Sequence, residues 1–188
     1  PARPSDAADY VAAHLAAQLW AYGDLMPPEF TRDRTAAVPE ATRSLADDLV
    51  AIEETLAAGG VPFRQHWVAE LQGQIVGVAS AGSGPGPWEA GYDPPPADIR
   101  WVLDRLYVRP EAHGSGAGQQ LFDAAVGDRS AYLWILKDNP RAERFYRRNG
   151  FAPDGTTGDT GPTWFHRSMF RMVRRVPATG LPHLLGDH

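Results

Sequence analysis

Three glycines at alternate positions form the densest chemical signal in the sequence. Gly114, Gly116 and Gly118 follow an apolar segment and precede a segment with helical periodicity. A helix that starts after such a turn presents bare backbone N–H groups, which attract anions. Glycine also permits a left-handed backbone and the close approach of a ligand. The pattern therefore predicts an anion site at six consecutive amides, those of Gly114, Ser115, Gly116, Ala117, Gly118 and Gln119.

Two other nucleotide-binding signatures share such glycines and fit less well. A Walker A loop ends in Gly-Lys-Ser/Thr, whereas Gly118 precedes two glutamines. A dinucleotide fingerprint is closer, because Asp138 lies about twenty residues further on. In that fold, however, the glycines directly follow a strand, and here residues 109–113 intervene. The spacing is also Gly-x-Gly-x-Gly, and Asp138 leads into another helix start, so we disfavour this interpretation.

That second helix carries another group of candidate functional residues. Asn139 is a favourable N-cap, and Pro140 occupies the first helical position, where a missing N–H leaves nothing unpaired. Tyr146 follows nearly two turns after Asn139 and therefore faces nearly the same side of the helix. The pair Asn149-Gly150 predicts the end of the helix.

Together the two motifs resemble those of the GNAT acetyltransferase superfamily. The family pattern Val-x-Pro-Glu-x-(Arg/Gln)-Gly-x-Gly-x-Gly maps onto residues 108–118, and Asn-x-x-Ala-x-x-Phe-Tyr-x-x-x-Gly-Phe maps onto residues 139–151. One departure is His113, where the family usually has Arg or Gln. The resemblance implies an enzyme that transfers an acetyl group from acetyl-CoA, its co-substrate, to an amine.

The resemblance also implies how the phosphates of acetyl-CoA are held. The amides of residues 114–119 would bind the pyrophosphate, and His113 would add positive charge or polarity beside them. Arg141 would lie near the 3′-phosphate. Residues 100–188 carry 13 basic and 9 acidic residues, a net charge of +4. Such a basic half favours a ligand that bears phosphates, although an ordinary solvated surface would show the same balance.

For the pantetheine arm, the resemblance implies contacts along one strand. The backbone at Leu106, Tyr107 and Val108 would pair with the arm, and an N–H of this strand would polarise the acetyl carbonyl. The side chains of Leu106 and Val108 are interpreted as core. Asn139 would contact the pantetheine in addition to capping its helix, although capping alone would explain the residue.

A general acid can be proposed for the reaction more clearly than a general base. The resemblance implies that Tyr146 is the general acid that faces the sulfur, with a core aromatic beside Phe145 as the alternative. No general base is evident. Asp104 is the nearest carboxylate on the central strand, on the same face as Val102, and is our candidate, acting through a water molecule. A base is unnecessary if the amine arrives neutral.

Apolar periodicity and turn residues predict the elements that position these residues. Helices are predicted at 6–20, 39–58, 116–126 and 140–149, and strands at 66–70, 74–81, 99–108, 131–136 and 164–174. The resemblance implies their arrangement: an α/β fold with a mixed, largely antiparallel sheet. The sheet is expected to splay between the two central strands at the cofactor site, with helices on both faces.

Composition limits the class of protein. The chain has 188 residues, 43% of them hydrophobic, which suits one globular domain, predicted at 1–175, with a flexible tail at 176–188. In the family a first strand precedes such a domain, so the sequence predicts that it is absent or trimmed here. Cysteine is absent, six scattered histidines predict no metal site, and no apolar run could span a membrane. We therefore expect a cytoplasmic protein.

Charge and loop composition bear on the acceptor. Residues 1–99 carry 5 basic and 14 acidic residues, net −9, which disfavours nucleic acid as a partner and favours a small cationic amine. A Pro/Gly-rich loop at 82–98 contains Trp88 and Tyr92 and is interpreted either as a lid over the acceptor or as a surface loop folded back by Trp88. A protein N-terminus or lysine as acceptor, and a non-catalytic acyl-CoA sensor, are the alternatives. A homodimer through docking of the tail stays open.

Overall fold

The computed structural model describes residues 1–177. The predicted tail at 176–188 lies outside these residues apart from its first two. The strands are β1 (Arg64–Leu71), β2 (Gln74–Ser83), β3 (Trp101–Val108), β4 (Ala131–Leu136), β5 (Ala152–Asp159) and β6 (Ser168–Arg174). The helices are α1 (Ala7–Tyr22), α2 (Pro28–Ala36), α3 (Val38–Ala57), α4 (Ala117–Ala125) and α5 (Pro140–Arg148).

The strands form one mixed sheet in the order β1-β2-β3-β4-β6-β5. Every neighbouring pair is antiparallel except β3 and β4, which are parallel. A two-residue turn at Gln72 and Gly73 joins β1 to β2, and both residues have positive φ, as tight hairpins require. The predicted mixed, largely antiparallel α/β fold is confirmed.

Helices cover both faces of the sheet and divide the core in two. On one face, Leu121 and Phe122 of α4 and Tyr146 of α5 pack against buried strand residues such as Leu133. On the other face, α1 and α3 bury an apolar cluster that includes Tyr10 and Leu49 with Ile75 and Val78 of β2. The sheet opens between β3 and β4, and this opening forms the cleft described below.

Three elements differ from the sequence-based expectation. Helix α2 and strand β5 were not predicted, and β6 begins at Ser168 rather than at residue 164, because Pro162–Trp164 forms a 3₁₀ turn. Only Phe30 is buried in α2, so its sequence shows almost no apolar stripe. Strand β5 has no fully buried residue and two glycines in eight positions, which hide it from a periodicity analysis.

The loop at residues 84–98 is folded back on the sheet. Trp88 packs edge-on against Trp134 with 5.9 Å between ring centroids, and Glu89 is buried beneath it. The Glu89 carboxylate accepts hydrogen bonds from Tyr132 Oη at 2.9 Å and Trp134 Nε1 at 2.8 Å. Trp88 packs on the sheet and also lines the cleft, so this position fits both interpretations of the loop, and its function as a lid stays a prediction.

Two further observations concern the ends and the surface of the described chain. The N–H of Ala2 donates to the carbonyl of His66 at the outer edge of β1. The expectation that a first strand is missing, and the division into a domain at 1–175 and a tail, stay predictions. None of the helices within residues 1–177 combines the length and the apolar character needed to cross a bilayer.

Candidate active site

A cleft opens where β3 and β4 separate. Their pairing is limited to Trp101 with Ala131 and Val102 with Tyr132, after which the strands diverge. The opening leaves a cavity of about 510 Å³. Because no strand of residues 1–177 neighbours β3 on this side beyond Val102, its backbone at Leu106, Tyr107 and Val108 borders the cleft along an open edge. The splay that the resemblance implies is present.

The cleft connects the two faces of the sheet. Its lining on the α4 and α5 side includes Val108, Gly118, Ala142, Phe145 and Tyr146. Its lining on the opposite side is largely aromatic and consists of Tyr22, Trp88, Tyr107, Trp134 and Trp164. The first side contains the glycine turn and the second contains the loop at 84–98, so two ligands can approach the gap from opposite faces.

The glycine turn supplies free amide donors at alternate positions. Gly114 and Gly116 have φ of 84° and 88°, and Gly116 is the N-cap of α4. The amide of Ser115 donates to Ala112, and that of Gln119 donates to Gly116. Within the described chain, the amides of Gly114, Gly116 and Gly118 have no acceptor. Unpaired donors at a helix N-terminus are the groups that an anion site needs, and anion binding at this turn stays a prediction.

His113 and Arg141 meet at the mouth of the cleft. His113 Nε2 lies 2.9 Å from the carbonyl oxygen of Val108 and 3.0 Å from Arg141 Nη1. This nitrogen can donate to the carbonyl or accept from the guanidinium, but not both, so the tautomer selects one bond. Partial burial lowers the pKa of His113, and the charge of Arg141 lowers it further. Trp20 lies under the guanidinium at 5.0 Å and completes this group.

Asn139 uses both ends of its side-chain amide inside the protein. Its Oδ1 accepts from the N–H of Ala142 at 3.0 Å, which confirms the N-cap. Its Nδ2 donates to Tyr22 Oη at 2.8 Å. The amide is therefore held rigidly, and one hydrogen of Nδ2 is left for a ligand. Tyr22 was not singled out from the sequence, since its partner lies 117 residues away.

Tyr146 is a buried phenol at the middle of the cleft. It is 7% exposed and packs edge-on between Phe145 and Phe151. Burial raises the pKa of Tyr146 well above its ordinary value, and the neighbouring Tyr107 adds to the shift. The phenol therefore keeps its proton at neutral pH and can donate it. The same packing satisfies the core interpretation as well, so only its place in the cleft distinguishes the two.

Asp104 lies on the central strand beside an irregularity in the pairing. Arg105 pairs with Ser80 and Leu103 with Ala81, so Asp104 has no partner on β2. Such bulges redirect side chains and are common beside active sites. The Asp104 carboxylate forms an ion pair with Arg64 through Oδ2. Burial raises the pKa of Asp104, and the charge of Arg64 opposes that shift. Arg64 had no sequence signal, being 40 residues away.

The remaining predictions concern charge and metals. Gln119 turns its side chain to Asp123 and Asn149, so only its backbone belongs to the glycine turn. Among the described residues that line the cleft, Asp104 is the one acid, and the fourteen acids of residues 1–99 lie elsewhere. In the part of the chain described, His, Asp and Glu side chains form no group of three able to hold a metal ion.

Comparison with known proteins adds independent observations. A model of the acetyltransferase (GNAT) domain matches residues 62–153. An uncharacterized N-acetyltransferase of Mycobacterium tuberculosis is 32% identical over 123 residues, which cover 61% of this chain and 69% of that protein. The PaiA N-acetyltransferase from Thermoplasma acidophilum, solved with coenzyme A, has a TM-score of 0.65 and 16% identity. That alignment covers 93% of this chain and 95% of that one. A GNAT-family acetyltransferase from Streptococcus pneumoniae has a TM-score of 0.59 and 17% identity, with 93% and 96% covered.

Proposed function

Because the chain belongs to the GNAT N-acetyltransferase family, we propose that its cleft brings the thioester of acetyl-CoA to a primary amine. The observation that carries the proposal is one continuous opening with an anion site at one end and a buried, protonated phenol in the middle. The anion site suits the phosphates of such a thioester, and the phenol suits its leaving sulfur. The solved structure of the PaiA enzyme with coenzyme A supports the same ligand here.

The residues present fit acetyl-CoA. The three free glycine amides suit a pyrophosphate, and Arg141 and His113 stand beside them. A Cβ built on Gly118 would lie 3.6 Å from Val108 and 3.9 Å from Phe145, so this glycine keeps the passage between β3 and α5 open. The open edge of β3 offers backbone groups to an extended arm. When bound, acetyl-CoA supplies the activated acetyl group.

Two proton transfers accompany acetyl transfer in this proposal. A C–N bond forms and the C–S bond breaks, so the amine loses a proton and the sulfur gains one. Tyr146 donates to the sulfur, and its raised pKa keeps that proton available. Asp104 takes the amine proton through water, using Oδ1, because Oδ2 faces Arg64. A carboxyl whose pKa is raised by burial is a stronger base than an exposed one.

The proposal also includes the class of acceptor. A small cationic amine is the acceptor favoured by the net charge of −9 on residues 1–99. Its aromatic surroundings, Trp88 and Trp134, also suit a cation. A protein N-terminus or a lysine remains the alternative. Homodimer formation and a cytoplasmic location stay expectations.

Two measurements test the proposal. Free CoA thiol is followed with acetyl-CoA and a panel of primary amines, and release that depends on the amine is expected. In parallel, acetyl-CoA should raise the melting temperature by an amount set by its concentration, about 2.7 kcal/mol of stabilisation at 100 times Kd. Stabilisation without CoA release from any amine would favour the acyl-CoA sensor instead.

A matched pair of variants locates the cofactor. Gly118→Leu adds a side chain that extends into the passage beside Val108, at a position with ordinary helical φ. Ala124→Leu adds the same side chain to an exposed position of the same helix. We expect acetyl-CoA to raise the melting temperature of the parent and of Ala124→Leu but not of Gly118→Leu. Equal shifts in all three proteins would place the cofactor elsewhere.

A further inference from the structure

The charged side chains that line the cleft differ in whether a neighbouring group accounts for their charge. Its lining contains Asp104, Arg105, His113 and Arg141 as the ionisable groups other than tyrosine. His113 and Arg141 belong to the phosphate end, and Asp104 is paired with Arg64. Arg105 is the remaining charge. It lies on β3 beside the bulge, on the side of the sheet opposite to the glycine turn.

Arg105 is exposed to the cleft and lacks a carboxylate partner. Arg105 is exposed although it lies on a central strand. In residues 1–177, no Asp or Glu oxygen lies within ion-pair distance of its guanidinium. Its positive charge also acts on its neighbours, because burial lowers the pKa of His14 and of His66 and the charge of Arg105 lowers both further. The region between α1 and β3 is therefore electropositive.

A second arginine reinforces this charge. Arg34 of α2 lies over the ring of Trp164 at 4.7 Å, and its Nη2 donates to the carbonyl of Thr163 at 3.0 Å. Thr163 and Trp164 both line the cleft. The charge of Arg105 contributes to lowering the pKa of Arg34, so the two guanidinium groups repel each other. Two like charges near one opening repel each other, and an anion bound beside both would relieve that repulsion.

We infer that Arg105 binds a carboxylate of the acceptor, with Arg34 adding attraction, so the acceptor is a small amine that also carries a carboxylate. The guanidinium is the side chain best suited to a carboxylate, because its planar fork can donate two parallel hydrogen bonds. This inference rests on the proposed function, since it names the acceptor class of the same site. It also gives local charge priority over the net charge of −9, because charges beyond about 10 Å are screened by salt.

Matched acceptors isolate the carboxylate. Leucine, leucinamide and isopentylamine share one side chain and one primary amine, and only leucine carries the carboxylate. Values of kcat and KM are measured by CoA release for the parent, Arg105→Gln and Arg105→Lys. Arg100→Gln is the control, because Arg100 is an exposed arginine that precedes β3 and does not line the cleft.

For the parent we expect leucine to exceed isopentylamine in kcat/KM by about 10-fold or more, as loss of a charge-assisted hydrogen bond produces. Arg105→Gln should remove this preference through the KM of leucine and leave isopentylamine unchanged. Arg105→Lys should restore part of it, and Arg100→Gln should behave as the parent. The rise in melting temperature caused by each amine in the presence of CoA should follow the same order, which scores the preference independently of turnover.

Other outcomes would overturn the inference, and they differ from failure of the proposed function. A parent that uses isopentylamine as well as leucine has turnover but no carboxylate site, which refutes the inference alone. An equal loss for all three amines in Arg105→Gln, or a raised KM for acetyl-CoA, would assign Arg105 another role. No CoA release and no stabilisation by any amine would remove the proposed function, and the inference with it.

Discussion

At the scale of single residues, the most specific role that we propose is that of the Tyr146 phenol as general acid. A thiol has a pKa of about 8.5, so a leaving thiolate is only weakly basic. Complete proton transfer from a phenol whose pKa is raised by burial is therefore uphill. A hydrogen bond to the sulfur that strengthens as charge develops still stabilises the transition state. The buried position of Tyr146 makes this bond stronger than it would be in water.

The Tyr146→Phe variant separates this role from packing. It keeps the ring between Phe145 and Phe151 and removes the hydroxyl alone. We expect kcat to fall by about 10-fold or more, as for loss of a general acid, while the Kd of acetyl-CoA changes little. Single-turnover kinetics would make this measurement where chemistry limits the rate. A kcat equal to that of the parent, with any damage confined to stability, would assign Tyr146 to the core.

Whether the sequence alone could reveal a site residue depends on how far along the chain its partner lies. Asn139 and Tyr146 share one helix, so helical geometry alone places them on one face and the cap is readable. Glu89 and Trp134 are 45 residues apart, and Arg64 and Asp104 are 40 apart. Their contacts depend on strand order and on the path of a loop. Arg105 has no local signal either, because an arginine in a strand is usually a solvated one.

At the scale of elements, α1 is fixed to the sheet by a polar cluster as well as by apolar packing. Tyr10 of α1 donates to the carbonyl of Ala79 at 3.1 Å, and His66 of β1 contacts the same hydroxyl at 3.3 Å. Burial, together with the charges of Arg105 and Arg64, lowers the pKa of His66 to about 4. Burial likewise lowers the pKa of His14 on α1 to about 3. Both histidines are neutral in the folded protein at neutral pH.

Lowering the pH should therefore reduce the free energy of unfolding before it protonates either histidine in the folded protein. In the unfolded chain each histidine binds a proton below pH 6.5, the ordinary value, but His66 in the folded chain does so only below about 4. The folded pKa is depressed, so the associated stability is complete above 6.5 and is lost as the pH falls toward 4. The loss is about 1.4 kcal/mol per pH unit for each histidine in that window.

The His66→Gln variant measures this contribution. Glutamine does not titrate, so the free energy of unfolding of the variant should fall less steeply between pH 6.5 and 4 than that of the parent. Urea unfolding at several pH values gives both curves, and their difference cancels the carboxylates that the two proteins share. Parallel curves would mean that His66 is accessible to protons in the folded state.

Elements differ in predictability for a related reason. Strand β4 is a continuous apolar run, and α4 has a clear apolar stripe, so both could be placed from sequence. Helix α2 buries Phe30 alone, and β5 pairs only with β6 at the edge of the sheet. These two elements are stabilised by their neighbours rather than by their own pattern, and a local analysis cannot detect them.

At the scale of the whole molecule, charge is divided between two halves of the chain. Residues 1–99 have a net charge of −9 and residues 100–188 a net charge of +4. The acids of α3 are mostly on its outer surface, where Asp48, Glu53 and Glu54 are exposed. Such surface charges would act on ligands over distance, whereas the roles that we propose for Arg105 and Arg141 require contact. The two ranges can be separated by salt, because salt screens distant charges first.

Ionic strength therefore gives a prediction for each ligand. For acetyl-CoA, kcat/KM should fall by about 10-fold as salt rises from about 0.01 M to about 0.15 M, where the Debye length shortens from ~30 Å to ~8 Å. The attraction arises at the mouth of the cleft, so Arg141→Gln should reduce the slope. For a cationic acceptor such as a diamine, the charge of −9 predicts the same fall.

The two acceptor classes should respond differently to salt, and this contrast tests which range of charge governs the acceptor. If the acids of residues 1–99 attract the acceptor, kcat/KM for a diamine falls with salt and exceeds that for leucine at low salt. If Arg105 and Arg34 select it by contact, kcat/KM for leucine changes little with salt, since leucine has no net charge and its carboxylate is bound at short range. Steady-state rates with saturating acetyl-CoA, with leucine and a diamine at matched concentrations, distinguish the cases. A flat response for both acceptors would remove the long-range attraction and leave the contact at Arg105 as the sole electrostatic determinant.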